Sequence, residues 1–346
     1  MRPRLPAEWE HQAGVMLTWP HDATDWVDNL DRVRPVFAAI GAAISHREDL
    51  LSVVPNADER RVVEQVLARA GADMRRCRFA IAPSDDTWAR DHGPIGTLDD
   101  RQATLNDFRF NAWGGKFDAA RDDAINARLQ ADGAFPGCVM TRRELVLEGG
   151  AIETDGCGTL LATRRSVIDP ARNPDLSVDD IERLLGDWLG IERFLWLDHG
   201  ALQGDDTDSH IDTLVRFADA GTLLYVTAPA GDVDHAGLEA MAAQLKTFRA
   251  VSGRPYRLLP LPFPGDHRAD DGRRLPASYA NFLVTNGHLL VPTYRHANDA
   301  VACDILQSLF PDRTVVGIDC TPLVWGLGAI HCVTQQQPRV GTCNMV

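Results

Sequence analysis

The stretch GLGAIHCVTQQQP, residues 326–338, sets a thiol, Cys332, between a histidine and a run of three glutamines. Other side chains with chemical capacity sit beside glycines or in acidic runs: Asp91 in WARDHGP, Glu148 in LEGGAIETDG, and His210 and Asp212 in DDTDSHID. A thiol with a histidine supplies a nucleophile and a proton shuttle. Two further carboxylates beside them would raise the thiol pKa, so they make sense only if the substrate brings positive charge. A guanidinium is planar, cationic and fork-shaped, and carboxylates match it bidentately. Asp91 and Asp212 would grip its nitrogens and set its central carbon before Cys332, and the cation would favour the thiolate. His210 would protonate the departing nitrogen and later deprotonate the water that hydrolyses the amidino-thioether. Glu148 would hold His210 in orientation. Trp88 and Trp113 would offer flat walls to the guanidinium plane or an alkyl chain.

Each residue also has a bland reading. A lone cysteine is more often inert core than nucleophile, an acid beside glycine is usually a turn or a cap, and His210 suits a satisfied core histidine. GDDTDSHID is rich in hard ligands, but it lacks the glycine and spacing of a calcium loop and has no second histidine in register. No metal is expected there. GLG before AIHC is half a dinucleotide fingerprint with no helix after it, and no cofactor is expected. The functional reading rests on these residues falling at matching places in a repeat.

That repeat is built from hairpins. LVLEGGAIETDGCGTLLATR turns at Asp155-Gly156, HIDTLVRFADAGTLLYVTA at Ala220-Gly221, and SYANFLVTNGHLLVPTY at Asn286-Gly287. A fourth unit, RDHGPIGTLDDRQATLNDF, turns near Asp99-Asp100. After each of the first three comes a helix and a short strand. SVDDIERLLGDWLG, for example, has an N-cap at Ser177, Asp180 in its first turn and a stop at Gly190. The order β-β-α-β recurs every ~65 residues, close to one fifth of the chain. Near the start, GVMLTW, RVRPVFAAIGAAISH and LLSVV form a unit short of one hairpin strand, which AIHCVT would supply. The expected fold class is therefore α/β, with five ββαβ-type modules around a pseudo-fivefold axis and no open sheet edge. Asp91 lies eight residues before Asp99, Glu148 seven before Asp155 and Asp212 eight before Ala220, with His210 two earlier on the same strand face. Equivalent modules point them all at one axis.

Composition bounds the partners. The 346 residues are 45% hydrophobic and 24% charged, and Lys+Arg 35 against Asp+Glu 49 gives −14. Nucleic acid is an unexpected partner for such a chain. There is no bilayer-length apolar run and no apolar signal core in MRPRLPAEWEHQ, so no membrane association is expected. The 7 cysteines are odd in number and widely spaced, without Cys-x-x-Cys, which argues for a reducing cytoplasm. No interdomain linker interrupts residues 1–346, read as one catalytic domain; PFPGDHRADDGRRLPASY is a long loop of the kind that covers sites.

WARDHGP, FNAWGGK, LEGGAIETDG, DDTDSHID, SYANFL and IHCVTQQQP, in that order, resemble the motifs of agmatine deiminases and the related bacterial peptidylarginine-deiminase-like proteins, over residues 7–338. The resemblance implies the pentein fold, a five-bladed β/α propeller, and hydrolysis of agmatine to N-carbamoylputrescine and ammonia, a step of putrescine and polyamine synthesis. It places the nucleophile on Cys332, the histidine on His210, its partner on Glu148 and the guanidinium-binding acids on Asp91 and Asp212. There are departures. Leu327 stands where the family usually has a third glycine, and Ser209 replaces a glycine before the histidine. FDAARDDAINARL follows FNAWGGK in place of the plant-type Gly/Trp stretch. They bear on the pocket beyond the guanidinium. Arginine would need a cation for its carboxylate: Arg90 should face away from the axis, while Lys116 and Arg339 are unplaced. Agmatine would need an acid for its ammonium, such as Asp206 or Asp208. The alternatives are a deiminase of arginine or peptidyl-arginine, an amidinotransferase with an amine acceptor, or a non-catalytic ribosome-binding pentein, which would not need the five site residues together. A homodimer is compatible with the sequence.

Overall fold

The hairpin signals at Ala220-Gly221, Asn286-Gly287 and Asp155-Gly156 each join the first two strands of a three-stranded sheet. In the computed structural model, which describes residues 2–99 and 102–339, the strands are β1 (Gln12–Thr18), β2 (Asp49–Val54), β3 (Cys77–Ile81), β4 (Ile95–Leu98), β5 (Ala103–Arg109), β6 (Val139–Val146), β7 (Ile152–Thr154), β8 (Thr159–Thr163), β9 (Arg193–Leu197), β10 (Val215–Asp219), β11 (Thr222–Val226), β12 (Arg257–Leu261), β13 (Leu283–Val284), β14 (His288–Thr293), β15 (Thr314–Asp319) and β16 (Thr334–Pro338). They form five sheets, β16-β1-β2-β3, β4-β5-β6, β7-β8-β9, β10-β11-β12 and β13-β14-β15. In each of the last four the first pair is antiparallel and the second parallel. A tight turn links the antiparallel pair, whereas a parallel pair needs a helical crossover. The crossover before β9 shows how local signals set it. Ser177 and Asp180 form a reciprocal capping box, Gly190 stops the helix at φ 73°, and Ile181, Leu185 and Leu189 line its buried face.

The first sheet departs from the expected unit. β1 leads through the helix Leu30–Ser45 to β2, and an additional helix, Ala57–Arg69, leads to β3. β16 pairs antiparallel with β1, from Leu17 opposite Thr334 to Gln12 opposite Pro338. The C-terminal part of the chain thus supplies the missing hairpin strand, but that strand begins at Thr334. AIHC lies in the turn before it. The expected Asp99-Asp100 turn is flanked by β4 and β5, and residue 100 lies outside the described residues.

One hydrogen bond across each boundary traces the ring. Gln335 Nε2 donates to the Pro94 carbonyl (3.1 Å), the Gly150 N–H to Asp91 (3.0 Å), the Phe217 N–H to Glu153 (3.0 Å), Arg216 to the Phe282 carbonyl (2.7 Å), and Gln12 Nε2 to the Val284 carbonyl (2.9 Å). The last of these returns to the first sheet. Central strands such as β8, buried at every position, read as the apolar runs their doubly covered place requires. Among the described residues no helix is long and apolar enough to cross a membrane.

Glu48, buried between the Leu30–Ser45 helix and β2, is pushed up to about 8 by burial, against the pull of the Asn286 backbone and Arg313. Its folded value lies above the ordinary 4.5. The folded state therefore holds the extra proton, and stability falls as pH rises through that window. We expect Glu48→Gln to gain on the wild type by on the order of 2 kcal/mol between pH 5 and pH 8 in denaturant titrations. An equal difference at both pH values would remove Glu48 as the cause.

Candidate active site

Each module delivers at least one polar side chain to the axis from the turn that leads into its first strand. Asp91 comes from the helical turn Ala89–His92 before β4. Glu148 immediately precedes the 3₁₀ turn Gly149–Ala151 before β7. Asp212 lies in the 3₁₀ turn Ile211–Thr213 before β10, with His210 at its start. Asn281 stands two residues ahead of β13 and Cys332 two ahead of β16. This corrects the expectation that the acids, His210 and Cys332 sit within strands. The axis is too crowded for paired strands: a Cβ on Gly149 would lie 2.3 Å from the Arg90 carbonyl oxygen. The chain must turn there, so His210 and Asp212 do not share a strand face.

Cys332 is held by Asn281. The Asn281 Oδ1 accepts the backbone N–H groups of His331 (3.0 Å) and Cys332 (3.2 Å). Its Nδ2 donates to Cys332 Sγ and to Asp212 Oδ2, both at 3.1 Å. Asp212 Oδ2 also faces His331 Nδ1 at 2.8 Å and lies 3.7 Å from Sγ. Its other oxygen, Oδ1, is buried without a partner among the described residues. Burial works against the Asp212 charge, but the His331 hydrogen bond leads the influences that hold this carboxyl below its usual range. Burial first, then Asp212 and Asp91, push the Cys332 thiol well above its ordinary value.

Asp91 completes the pocket. Its Oδ2 accepts from Trp113 Nε1 (2.9 Å) and its Oδ1 from the Gly150 N–H. Burial, Asp212 and Glu148 together raise it well above a normal aspartate. A Cβ on Gly150 would lie 2.7 Å from His210 Nδ1, 2.8 Å from Asp91 Oδ1 and 3.2 Å from Asp212 Oδ2. Three functional groups thus converge on the space that a missing side chain leaves. Burial drives His210 down to about 3, so its imidazole is neutral near pH 7. Its Nδ1 lies 3.7 Å from Asp91 and its Nε2 3.9 Å from Glu148, both beyond hydrogen-bond reach, and Nε2 has no other partner. Glu148 is instead gripped by Arg172, whose Nε donates to both carboxylate oxygens at 2.9 and 3.0 Å.

At the mouth, Trp88 packs over Gly328, where a Cβ would meet its ring at 2.4 Å, and edge-on to Trp113. Lys116 donates to Asp208 (2.7 Å) and to the Asp206 carbonyl. Arg172 also meets Asp208, Asp169 and the Thr207 carbonyl. The Asp206 carboxyl is pushed up to about 6 by burial and Asp205. Arg90 turns from the pocket toward the His331 carbonyl and Glu8. Arg339 follows β16 at the end remote from Cys332, its N–H on the His11 carbonyl. Leu327 and Ser209 both adopt positive φ, 74° and 68°, the conformation that suits the glycines they replace. Among the described residues no group of three His, Cys, Asp or Glu side chains is set to hold a metal ion. Asn281, His331 and Arg172 were not singled out from sequence. SYANFL and IHC contain two of them, and the repeat offset would have found Asn281 had β13 been longer.

A ring of five ββαβ-type modules with thiol, imidazole and carboxylates gathered at its axis is the architecture of the penteins. Residues 4–338 match the Porphyromonas-type peptidyl-arginine deiminases, and the chain belongs to that family. The agmatine deiminase of Stutzerimonas stutzeri is 35% identical, covering 96% of this chain and 95% of the relative. Among solved structures, the "Putative Arginine Deiminase" of Porphyromonas gingivalis superposes with a TM-score of 0.91 at 48% identity, over 98% of this chain and 99% of its own. An agmatine deiminase of C. jejuni with substrate bound superposes at 0.89 and 30% identity, over 98% and 97%.

Gly150→Ala tests the convergence of His210, Asp91 and Asp212 on one point. The added methyl should reduce turnover at least roughly a hundredfold, with a change in Tm of only a few degrees, because misplaced reacting groups cost about that much. Native turnover in this variant would mean that the substrate does not enter the space beside Gly150.

Proposed function

We propose that the protein is a guanidine deiminase that hydrolyses agmatine to N-carbamoylputrescine and ammonia through a covalent amidino-Cys332 intermediate. The observation that carries the reading is charge matching. The pocket offers the unpartnered Asp212 Oδ1 and the Asp91 carboxyl, while the cations around it are already engaged. Lys116 is tied to Asp208, Arg172 to Glu148, Asp169 and Asp208, and Arg90 turns away. A guanidinium therefore finds acids, and an α-carboxylate finds no unmatched cation among the described residues at this mouth. Asp206, whose side chain makes no ion pair among the described residues, is the group we assign to the agmatine ammonium. Trp88 and Trp113 flank the chain between the two charged ends.

In this mechanism the guanidinium replaces the repulsion that keeps the Cys332 thiol protonated. His210 takes the thiol proton as Sγ attacks the central carbon, and passes it to the nitrogen that leaves as ammonia. A water, deprotonated by neutral His210, then adds to the amidino carbon. Collapse expels Sγ and releases the ureido product. Glu148, fixed by Arg172, stabilises the imidazolium as it forms.

A second reading, arginine as substrate, is favoured by the 48% identity to the Porphyromonas gingivalis protein. Ammonia release from agmatine, free arginine and an arginine-containing peptide under one condition separates the two. Agmatine should lead in kcat/KM by at least about a hundredfold, because an unmatched carboxylate beside acids costs several kcal/mol. Equal rates on arginine would sink the substrate assignment alone. Cys332→Ser should lose several orders of magnitude in turnover, and acid-quenched wild type should carry the amidino adduct by mass spectrometry. Near-native turnover without the thiol would end the covalent mechanism. Asp91→Asn and Asp212→Asn, which keep shape but remove charge, should each lower kcat/KM at least roughly thirtyfold, since a desolvated ion pair is worth about 2–5 kcal/mol. A loss below about threefold in both would show that the guanidinium is held elsewhere.

A further inference from the structure

Beneath Asp212 lies a second layer of charge that the mechanism above does not use. His331 Nδ1 faces Asp212 Oδ2 at 2.8 Å, and its Nε2 faces Glu8 Oε2 at 2.7 Å. Glu8 comes from the segment before β1, Asp212 from the fourth module and His331 from the closing turn, so the layer ties three parts of the ring together. Arg216 meets Glu8 at 2.8 Å and Glu153 at 3.1 Å, and Arg90 approaches Glu8 at 4.0 Å. All six side chains are at least nine-tenths buried. The acids Glu8, Glu153 and Asp212 face the cations Arg90 and Arg216. A buried set of this kind is stable only when its charges balance, and one further positive charge, on His331, completes it. The geometry requires the same. An ionised carboxylate only accepts hydrogen bonds, so an imidazole between two of them must donate from both nitrogens.

We propose that His331, backed by Glu8, is a positioning residue of the deiminase site: as an imidazolium it holds Asp212 Oδ2, turns Asp212 Oδ1 to the guanidinium, and offsets the negative charge facing Cys332. The inference rests on Cys332 as the nucleophile and not on which guanidine is the substrate. The neighbouring groups agree with it. Burial opposes ionisation of Glu8, but Arg216 and His331 bring its carboxyl below the usual range. Asp212 is likewise held down, with the His331 hydrogen bond leading. Around Cys332 itself the titratable groups are Asp212 and Asp91, the Tyr294 phenol and the adjacent His331. An imidazolium at 331, adjacent to Cys332 and bonded to Asp212, would oppose the two acids that push the thiol up.

The test uses His331→Gln and Glu8→Gln in the full chain. A glutamine at 331 still donates one hydrogen bond to Asp212 but carries no charge, and a glutamine at 8 removes the carboxylate that retains the second imidazole proton. The pH profile of Cys332 alkylation by iodoacetamide should move up by about one unit in each, a tenfold loss of thiolate at a given pH. With the guanidine that the wild type turns over fastest, kcat should fall at least roughly tenfold while KM changes less than about threefold. Unmoved alkylation profiles, with losses confined to Tm or KM, would reduce His331 to a structural residue. Failure of the substrate panel would leave the alkylation arm intact. Should both variants fail to fold, wild type labelled with 15N-histidine decides the matter at pH 8. A buried imidazole with both ring nitrogens protonated is expected, and its absence overturns the proposal.

Discussion

The Asp212 carboxylate, buried at the axis and still ionised, is the constraint around which this ring is organised. An unmatched charge at such a depth costs several kcal/mol, and among the described residues none near Asp212 in sequence hydrogen-bonds to its carboxylate. The relief comes from Asn281 in the fifth module and His331 in the closing turn, both bonded to Oδ2. Both depend on closure. Antiparallel pairing of β16 with β1 places His331, and the same pairing protects the edge that β1 would otherwise expose. Fold closure and site assembly are therefore one event, and a chain without β16 would leave Cys332 unplaced together with His331, the partner of its central acid.

Space and backbone conformation make separate demands here, and they explain where the chain departs from family habit. At Gly150 and Gly328 there is no room: an added Cβ would sit within 2.8 Å of His210 and Asp91, or within 2.4 Å of Trp88. At residues 209 and 327 the demand is for positive φ alone, and Ser209 and Leu327 meet it with side chains in place. Left-handed backbone at a non-glycine residue costs on the order of 1–3 kcal/mol. Asp208, Ala112 and Trp113 carry similar angles, so the strain gathers in the two loops that hold Lys116, Trp113 and Asp208 over the pocket. These loops are held by the Lys116–Asp208–Arg172 ion pairs rather than by backbone preference.

Much of this was legible in the residues. Turn signals such as Asn286-Gly287 are local, so they survive in any context, and their even spacing was enough to imply a ring. The capping box at Ser177 and the stop at Gly190 are equally local. The Ala57–Arg69 helix and β3 were not anticipated, because they extend the one module that has no hairpin turn of its own. The site residues read as strand positions because apolar alternation continues up to them. Only the crowding of five modules at one axis, which no single segment encodes, bends them into helical turns. Asn281 escaped because β13 is two residues long, which shortens the offset used to align the other modules. Arg172 escaped for a different reason: its grip on Glu148 exists only once two distant turns are brought together.

The electrostatics of the pocket bear on how a catalyst can be selective without a carboxylate clamp. In the free protein burial and two acids oppose the Cys332 thiolate, and burial keeps His210 neutral. In the proposed mechanism, entry of a guanidinium between Asp91 and Asp212 reverses the Coulombic part of that opposition where the nucleophile must ionise. A neutral amide of similar shape would fit the space but leave the thiol protonated. Discrimination then acts on the chemical step as well as on binding, which is where interactions confined to the reacting complex are most effective. The ureido group that results is uncharged, so the acids assigned to the guanidinium would lose their partner when the thioether is hydrolysed. The charge that draws the substrate in and activates the thiol is removed by the reaction itself, and product leaves a site that has returned to its resting repulsion.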